Sequence, residues 1–275
     1  MQTKKMKNIK LSNILNIENL ENYKAHCAVW NGSNQPLEVF ARNREEWHGW
    51  NSYKGQKNEF NRKYIFSLMS YYPEENAWLF GGIYEVLSIE NDSYKIRLDD
   101  KASEFIGRLK LRFTLTGRNR RIKLENCYSD FIVTEIFKEP YSGQTFSGYE
   151  DIDLTFEQVE VILNNQKPDW RGALQNIKGV YLITDNLNGK KYVGSAYGED
   201  GIWSRWKCYV ETGHGGNDEL TKLIQEKGIN YARQHFKFTL LEYRPTKVDD
   251  QIIIDRETFW KKALLTRGEF GYNKN

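Results

Sequence analysis

Two tyrosines flank a turn in the stretch KGVYLITDNLNGKKYVGSAY, residues 178–197. The Asn188-Gly189 step favours the positive φ of a tight hairpin. Whether the turn centres there or the loop covers 186–189, period-2 alternation puts Tyr181 and Tyr192 on one face, as diagonal or near neighbours. Two phenol hydroxyls then meet at one spot. Ordinary same-face packing accounts for such a pair too, since Tyr is a good strand residue. In GIWSRWKCYVE (201–211), Ile202, Trp206, Tyr209 and Val210 share a helical face, and Arg205 sits at its edge, one turn before Tyr209. In VDDQIIIDRETFWKKALL (248–265), Ile253, Ile254, Trp260 and Leu264 form an apolar stripe with Glu257 in its middle. A carboxylate in that place must be paired or coordinated, because burying it alone costs several kcal/mol or forces protonation. Arg205, Lys261 and a metal ion are the candidate partners, and a buried Arg–Glu salt bridge is the plain structural alternative.

Taken together, GVY (179–181), YVG (192–194), Arg205, Glu257 and the late YN (272–273) resemble a GIY-YIG nuclease domain in order and spacing. The resemblance covers the C-terminal third of the chain. It implies an α/β sandwich with a small three-stranded antiparallel sheet, and phosphodiester hydrolysis leaving a 5′-phosphate and a 3′-hydroxyl. It implies that Glu257 binds one Mg2+ (or Mn2+) per active site and that Tyr181 is the general base or the orienter of the attacking water. Tyr192 and Arg205 would contact the scissile phosphate, and Asn273 would hold the site together by side-chain hydrogen bonds. Tyr209 falls where the family carries His or Tyr. A lysine helper near YVG is not evident: Ser195 and Ala196 follow the glycine, and nothing assigns Lys191 to that role. A cation and an arginine aimed at the charge of a phosphodiester transition state stabilise it by several kcal/mol. One acidic residue suits one metal rather than a two-metal clamp. A phenol of ordinary pKa, about 10, is a poor base at neutral pH, so either Arg205 and the cation lower it or metal-bound water carries the proton load.

These residues need elements to hold them. The chain has 275 residues, enough for one large domain or two ordinary ones, and a formal charge of +3, which alone does not prove a nucleic-acid partner. Three scattered cysteines, Cys27, Cys127 and Cys208, are not a disulfide framework, and the sequence has no CxxC and only four His, which argues against a structural zinc site. This suggests a reducing, cytoplasmic compartment. Lys4, Lys5, Lys7 and Lys10 are followed by no apolar run of the kind a signal peptide needs, and no run is long enough to span a membrane.

Residues 1–22 suit a short leading helix or arm. From 25 to 138 the runs HCAVW, AWLFGGIYEVLSI, YKIRL, RLKLRFTLT and FIVTEIF read as strands, with REEWHGWNSYKG and FNRKYIFSLMSYY as helical interruptions. EPYSGQTFSGYED (139–151) is a turn-rich boundary. A helix follows in 154–165, N-capped by Thr155, and then the order strand, strand, helix, helix, strand, helix. The whole reads as α+β: a mainly β, barrel-like domain over 1–150, a helical linker over 151–175 and a nuclease domain over 176–275.

The first domain is rich in Trp and Tyr, and TGRNRRIK (116–123) sets Arg118, Arg120, Arg121 and Lys123 between two strand-like runs. A basic hairpin tip beside aromatics suits a phosphate backbone and a stacked base, although core aromatics and a solvated tip give the same pattern. Its strand pattern is loosely similar to PUA-like barrels, a superfamily that includes readers of modified bases. His214 lies in the Gly-rich turn of ETGHGGNDELTKL, whose amides are a candidate phosphate cradle or simply a tight turn, with Asn217 capping the next helix. The expectation is a DNA endonuclease acting on double-stranded, and in one form modified, DNA. Restriction or defence is its leading role, with repair, mobile-element cleavage or an inactive nucleic-acid binder as alternatives. One site per chain calls for a homodimer, or two visits, to cut both strands.

Overall fold

A computed structural model describes residues 7–274. The chain divides between Tyr141 and Ser142 into two compact units. Lys4 and Lys5 of the expected arm lie outside the described residues. Residues 7–22 hold a two-residue strand and two single 3-10 turns rather than a helix, with Leu11, Leu15 and Ile17 buried.

The first unit is built on strands β1 (Ile9–Lys10), β2 (Tyr23–Ala28), β3 (Tyr64–Ser70), β4 (Ala77–Ile89), β5 (Tyr94–Asp99), β6 (Leu109–Arg112), β7 (Arg121–Lys123) and β8 (Ile132–Ile136), with helices α1 (Pro36–Arg42) and α2 (Arg44–Ser52). The ladder runs β1-β8-β6-β4-β3-β2-β7, with β5 attached to β4, and its two ends are open among the described residues. β2 and β3 are parallel; the other pairs are antiparallel. Two expectations are corrected here. FNRKYIFSLMSYY, read as helical, contains β3. Ile65, Phe66, Ser67, Leu68 and Met69 are all fully buried between β2 and β4, and a run covered on both faces has no period to distinguish strand from helix. TGRNRRIK is not a hairpin tip. β7 leaves β6 and pairs with β2, setting His26 opposite Arg121 and Lys24 opposite Lys123.

The second unit contains β9 (Asp153–Thr155), α3 (Phe156–Asn164), α4 (Pro168–Leu174), β10 (Ile177–Asp185), β11 (Lys191–Ala196), α5 (Gly201–Thr212), α6 (Asp218–Lys227), α7 (Ile229–His235), β12 (Phe236–Pro245) and α8 (Asp250–Ala263). Its sheet is antiparallel in the order β11-β10-β12-β9, so it has four strands rather than three. The fourth arises because the chain runs extended into the α3 cap and pairs Leu154 with Phe238. Thr155 caps α3 as its sequence position suggests, accepting from the Gln158 amide while Gln158 reaches back to the Thr155 amide.

Residues 151–175 are no linker. Ile152, Leu154, Phe156, Val159, Trp170 and Leu174 belong to the same buried cluster as Tyr181 and Trp206; the apolar spacing that marks the helix is a core face. Alternation along the hairpin separates two layers. Tyr181, Ile183 and Tyr192 face that cluster with α3 and α5, whereas Val180 and Val193 face Ile253 of α8.

Candidate active site

The hairpin register sets Tyr181 opposite Gly194 and Ile183 opposite Tyr192, so the two tyrosines are diagonal neighbours on the α5 face. Gly194 is required by this approach: a Cβ there would lie 2.4 Å from the Tyr181 hydroxyl oxygen. Tyr209 of α5 stands between them, its ring centroid 5.9 Å from Tyr181 and 6.4 Å from Tyr192. Arg205, one turn earlier, donates from Nε to the Tyr181 hydroxyl (2.9 Å), from Nη1 to the Gly215 carbonyl (2.8 Å) and, more weakly, from Nη2 to the Tyr209 hydroxyl (3.4 Å). The Tyr181 hydroxyl in turn donates to that of Tyr209 at 3.1 Å. These bonds fix the guanidinium and leave its other N–H donors for a bound anion.

Burial pushes the Tyr181 pKa well up, and its neighbour Tyr192 adds to this, against the opposing pull of Arg205; burial does the same to Tyr209. Both stay protonated phenols at neutral pH. Lowering of Tyr181 by Arg205, the condition for its acting as a base, is not met by the protein itself.

Glu257 approaches from the other side. β11 is an edge strand with α5 on one face and α8 on the other, and the cleft wraps around that edge. Tyr192 and Arg205 line it from one face, and Ser195 and Glu257 line it from the other, around about 490 Å3. Glu257 accepts from the Ser195 hydroxyl at 2.6 Å and pairs with Lys261 at 3.0 Å. Its side chain is 17% exposed. The alternative of a buried Arg205–Glu257 salt bridge is not formed, since Arg205 is held by phenols and a carbonyl. Sequence alone does not single out Ser195. Alternation from Tyr192 places it on the opposite face, and nothing in one sequence shows that the two faces converge at the edge.

Asn273 does not reach the cleft. Its side-chain oxygen accepts from the Val193 amide and its Nδ2 donates to the Val193 carbonyl, both at 2.8 Å, so the amide clasps β11 from outside. Tyr272 beside it donates to Asp185 and accepts from Asn188 across the base of the hairpin.

His214 is part of a turn, not of the cleft. Its Nδ1 accepts from the Gly216 amide at 3.0 Å, and the Gly215 amide bonds Thr212 Oγ1 at 2.8 Å, so these amides are already satisfied and offer no cradle. The turn serves the site differently. Gly215 (φ +56°) lies against the Tyr209 ring, where a Cβ would come within 2.5 Å, and it presents its carbonyl to Arg205. Asn217 caps α6 as expected. In the first unit Arg118 and Lys123 are exposed, while Arg120 and Arg121 are half-buried.

The donor set can be tested against a divalent cation. No cluster of three or more His, Cys, Asp or Glu side chains suited to a metal occurs among the described residues. One carboxylate with an adjacent hydroxyl, open to a cleft, fits an ion that keeps most of its water and leans on substrate phosphate, as Mg2+ does. It does not fit a zinc cage.

A small antiparallel sheet whose tyrosine-bearing edge lies between an arginine helix and a glutamate helix defines a class: it is the arrangement that the resemblance to GIY-YIG nucleases implies. One curated protein that the chain is similar to is Intron-associated endonuclease 1 of Enterobacteria phage T4. It is 36% identical over 95 residues, which are 34% of this chain and 36% of that protein. The chain therefore matches about a third of the length of this curated relative. Among solved structures, the catalytic domain of homing endonuclease I-TevI is 33% identical, with 36% of this chain and 98% of that domain covered and a TM-score of 0.28. A mutant of the same domain is 31% identical, with 94% of it covered and the same TM-score. No family model matches the chain. No helix among the described residues is long and apolar enough to cross a membrane.

Proposed function

We propose that the chain is a metal-dependent DNA endonuclease that hydrolyses phosphodiester bonds at the edge of β11, with its N-terminal unit selecting the DNA. The observation that carries the reading is that Tyr192, Arg205 and Glu257 line one cleft, in a chain of which 95 residues are 36% identical to a protein named as an endonuclease. Glu257, with the Ser195 hydroxyl beside it, would hold Mg2+ or Mn2+ once Lys261 gives way. The cation supplies positive charge for the developing anion and acidifies bound water. Arg205 meets the non-bridging oxygens of the scissile phosphate, and Tyr192 orients that phosphate from the same lip. Tyr181 and Tyr209 position Arg205 as hydrogen-bonded phenols, a role for Tyr181 different from both base and orienter of the attacking water. Asn273 keeps β11 in register.

A restriction or defence role, on double-stranded DNA with plain or modified bases, fits a specificity unit joined to a cutter, and the loose PUA-like resemblance agrees with it. One site per chain makes a homodimer the simplest route to a double-strand cut. The test is plasmid and phage DNA incubated with the protein, with and without magnesium, beside Glu257→Ala. We expect magnesium-dependent nicking that the variant loses by roughly a hundredfold or more. Nicking by the variant at the parent rate would remove Glu257 from the reaction, and no cleavage of any DNA by the parent would reduce the protein to a binder.

A further inference from the structure

A second cleft, wholly within the first unit, plays no part in the hydrolysis. It encloses about 560 Å3, within the range of small-ligand sites, roughly 300–1,000 Å3. Trp50 and Tyr53 reach it from the end of α2 and the residue beyond, and Trp30 from the loop after β2. Trp30 is 59% and Tyr53 61% exposed. On the β2–β7 side lie His26 and Arg121, directly opposite each other in the ladder and therefore on one face, with Arg120 beside them.

The state of His26 follows from its bonds. Asn51 Nδ2 donates to the Trp47 carbonyl at 2.9 Å, which fixes the amide orientation. Asn51 Oδ1 then accepts from the Ser67 hydroxyl, and it must also accept from His26 Nδ1 at 2.9 Å. The ring proton is therefore on Nδ1. Burial pushes the His26 pKa down to about 4, partly offset by the Asn51 bond, so at neutral pH the ring is uncharged and Nε2 is a pure acceptor. His26 is 4% exposed, and Nε2 has no hydrogen-bond partner among the described residues. Nε2 is not one of the fully buried polar atoms left unpaired; its side chain lines an open cleft, where a ligand N–H can meet it. The arginines supply the complementary chemistry. Arg121 pairs with Glu59 at 3.1 Å, and Arg120 gives Nη1 to the Gly117 carbonyl at 3.2 Å, leaving further N–H donors on both.

We propose that this cleft receives one unpaired or swung-out nucleobase of DNA. Its ring stacks on Trp30, Trp50 or Tyr53, an N–H of its edge donates to His26 Nε2, and a carbonyl or ring nitrogen accepts from Arg120 or Arg121. The exposed Arg118 and Lys123 on the same crossover meet the flanking phosphates. The DNA origin of the base rests on the endonuclease reading; the demand for a flat ring with both a donor and an acceptor edge does not. Stacking on an aromatic side chain accounts for roughly a tenfold or greater preference per base.

The test uses the full chain in EDTA, so that nothing is cut. Fluorescence anisotropy compares one duplex bearing a single bulged thymidine, the same duplex with an abasic residue at the bulge, and thymidine monophosphate as competitor. We expect the thymidine bulge to bind roughly tenfold tighter than the abasic one, with that ratio falling to near one in Trp30→Ala/Tyr53→Ala and in Arg120→Ala. Both aromatic sites are more than half exposed, so a melting curve matching the parent's verifies that the variants are folded. Equal binding of both bulges by the parent, or an unchanged preference in folded variants, overturns the proposal. Competition by the mononucleotide at the concentration of the bulge would make this a free-nucleotide site and overturn the DNA assignment. A separate magnesium cleavage assay keeps the two ideas apart: cleavage without base preference sinks only the pocket, and base preference without cleavage sinks only the nuclease.

Discussion

At the scale of single residues, the arrangement separates groups that reach the cleft from groups that hold them. Tyr181 holds: fully buried, it anchors Arg205 Nε. Tyr181→Phe removes that acceptor while keeping the ring, so we expect turnover to drop roughly tenfold, the scale of one hydrogen bond to a charged group. Single-turnover cleavage is the check, and an unchanged rate would dissociate Tyr181 from Arg205. The raised pKa of Tyr181 also has a sign in stability. The unfolded phenol titrates near pH 10, and the folded one above it, so its contribution is intact below about pH 10 and is lost as the pH rises through the folded value. Denaturant melts of the parent should weaken above that point, and those of Tyr181→Phe should weaken less. His26 behaves inversely. Its folded pKa of about 4 lies below the ordinary histidine value, so its contribution is present at pH 7 and is lost on acidification toward pH 4. The shift corresponds to about 3 kcal/mol. Urea melts of the full chain at the two pH values, followed by tryptophan fluorescence, read it, and a first-unit transition that stays put between them would contradict the buried neutral ring.

At the scale of elements, the site depends on β11 staying in place although it is an edge strand. Asn273 supplies the missing partner by satisfying both the Val193 amide and the Val193 carbonyl. Asn273→Ala leaves two buried backbone groups unpaired, and we expect the second unit to lose about 2–4 kcal/mol. Asn273→Asp keeps the acceptor and loses the donor, and should fall between. Parent-like melting of the alanine variant would show that the clasp is incidental. This scale is also where sequence reading reached furthest and then stopped. The hairpin, the α5 face with Ile202, Trp206 and Tyr209, the Thr155 cap and the apolar stripe around Glu257 are periodic or capped locally, so they are legible. β3 is not, because burial on both faces erases its period. The Ser195–Glu257 contact is not, because it joins opposite faces around an edge. Nor is the pairing of β7 with β2, because strands about a hundred residues apart carry no local signal of their partnership. Asn273 could be placed through the family resemblance, but its hold on Val193 depends on a register that only the fold supplies.

At the scale of the whole molecule, two compact units imply separable stabilities, and the cut between them matters. The turn-rich stretch suggests a boundary near 150, and the expected linker places the nuclease start at 176. The packing places it earlier. Ile152, Leu154 and Phe156 lie at most 3% exposed in the cluster that holds Tyr181 and Trp206, and Trp170 and Leu174 complete that cluster. A fragment of residues 142–275 retains all of these, so we expect it to fold, melt cooperatively and nick DNA with magnesium, without the base preference proposed for the first unit. A fragment of residues 176–275 loses β9, α3 and α4 and exposes the underside of β12 and α5. Removing even one large core side chain typically costs about 2–5 kcal/mol, against a total stability of roughly 5–15 kcal/mol for a domain, so the shorter fragment should not fold. Circular dichroism melts of the two fragments, with cleavage measured on each, decide the point. A folded and active 176–275 fragment would show that β9, α3 and α4 are dispensable to the nuclease fold, and an unfolded 142–275 fragment would show that the second unit does not stand alone.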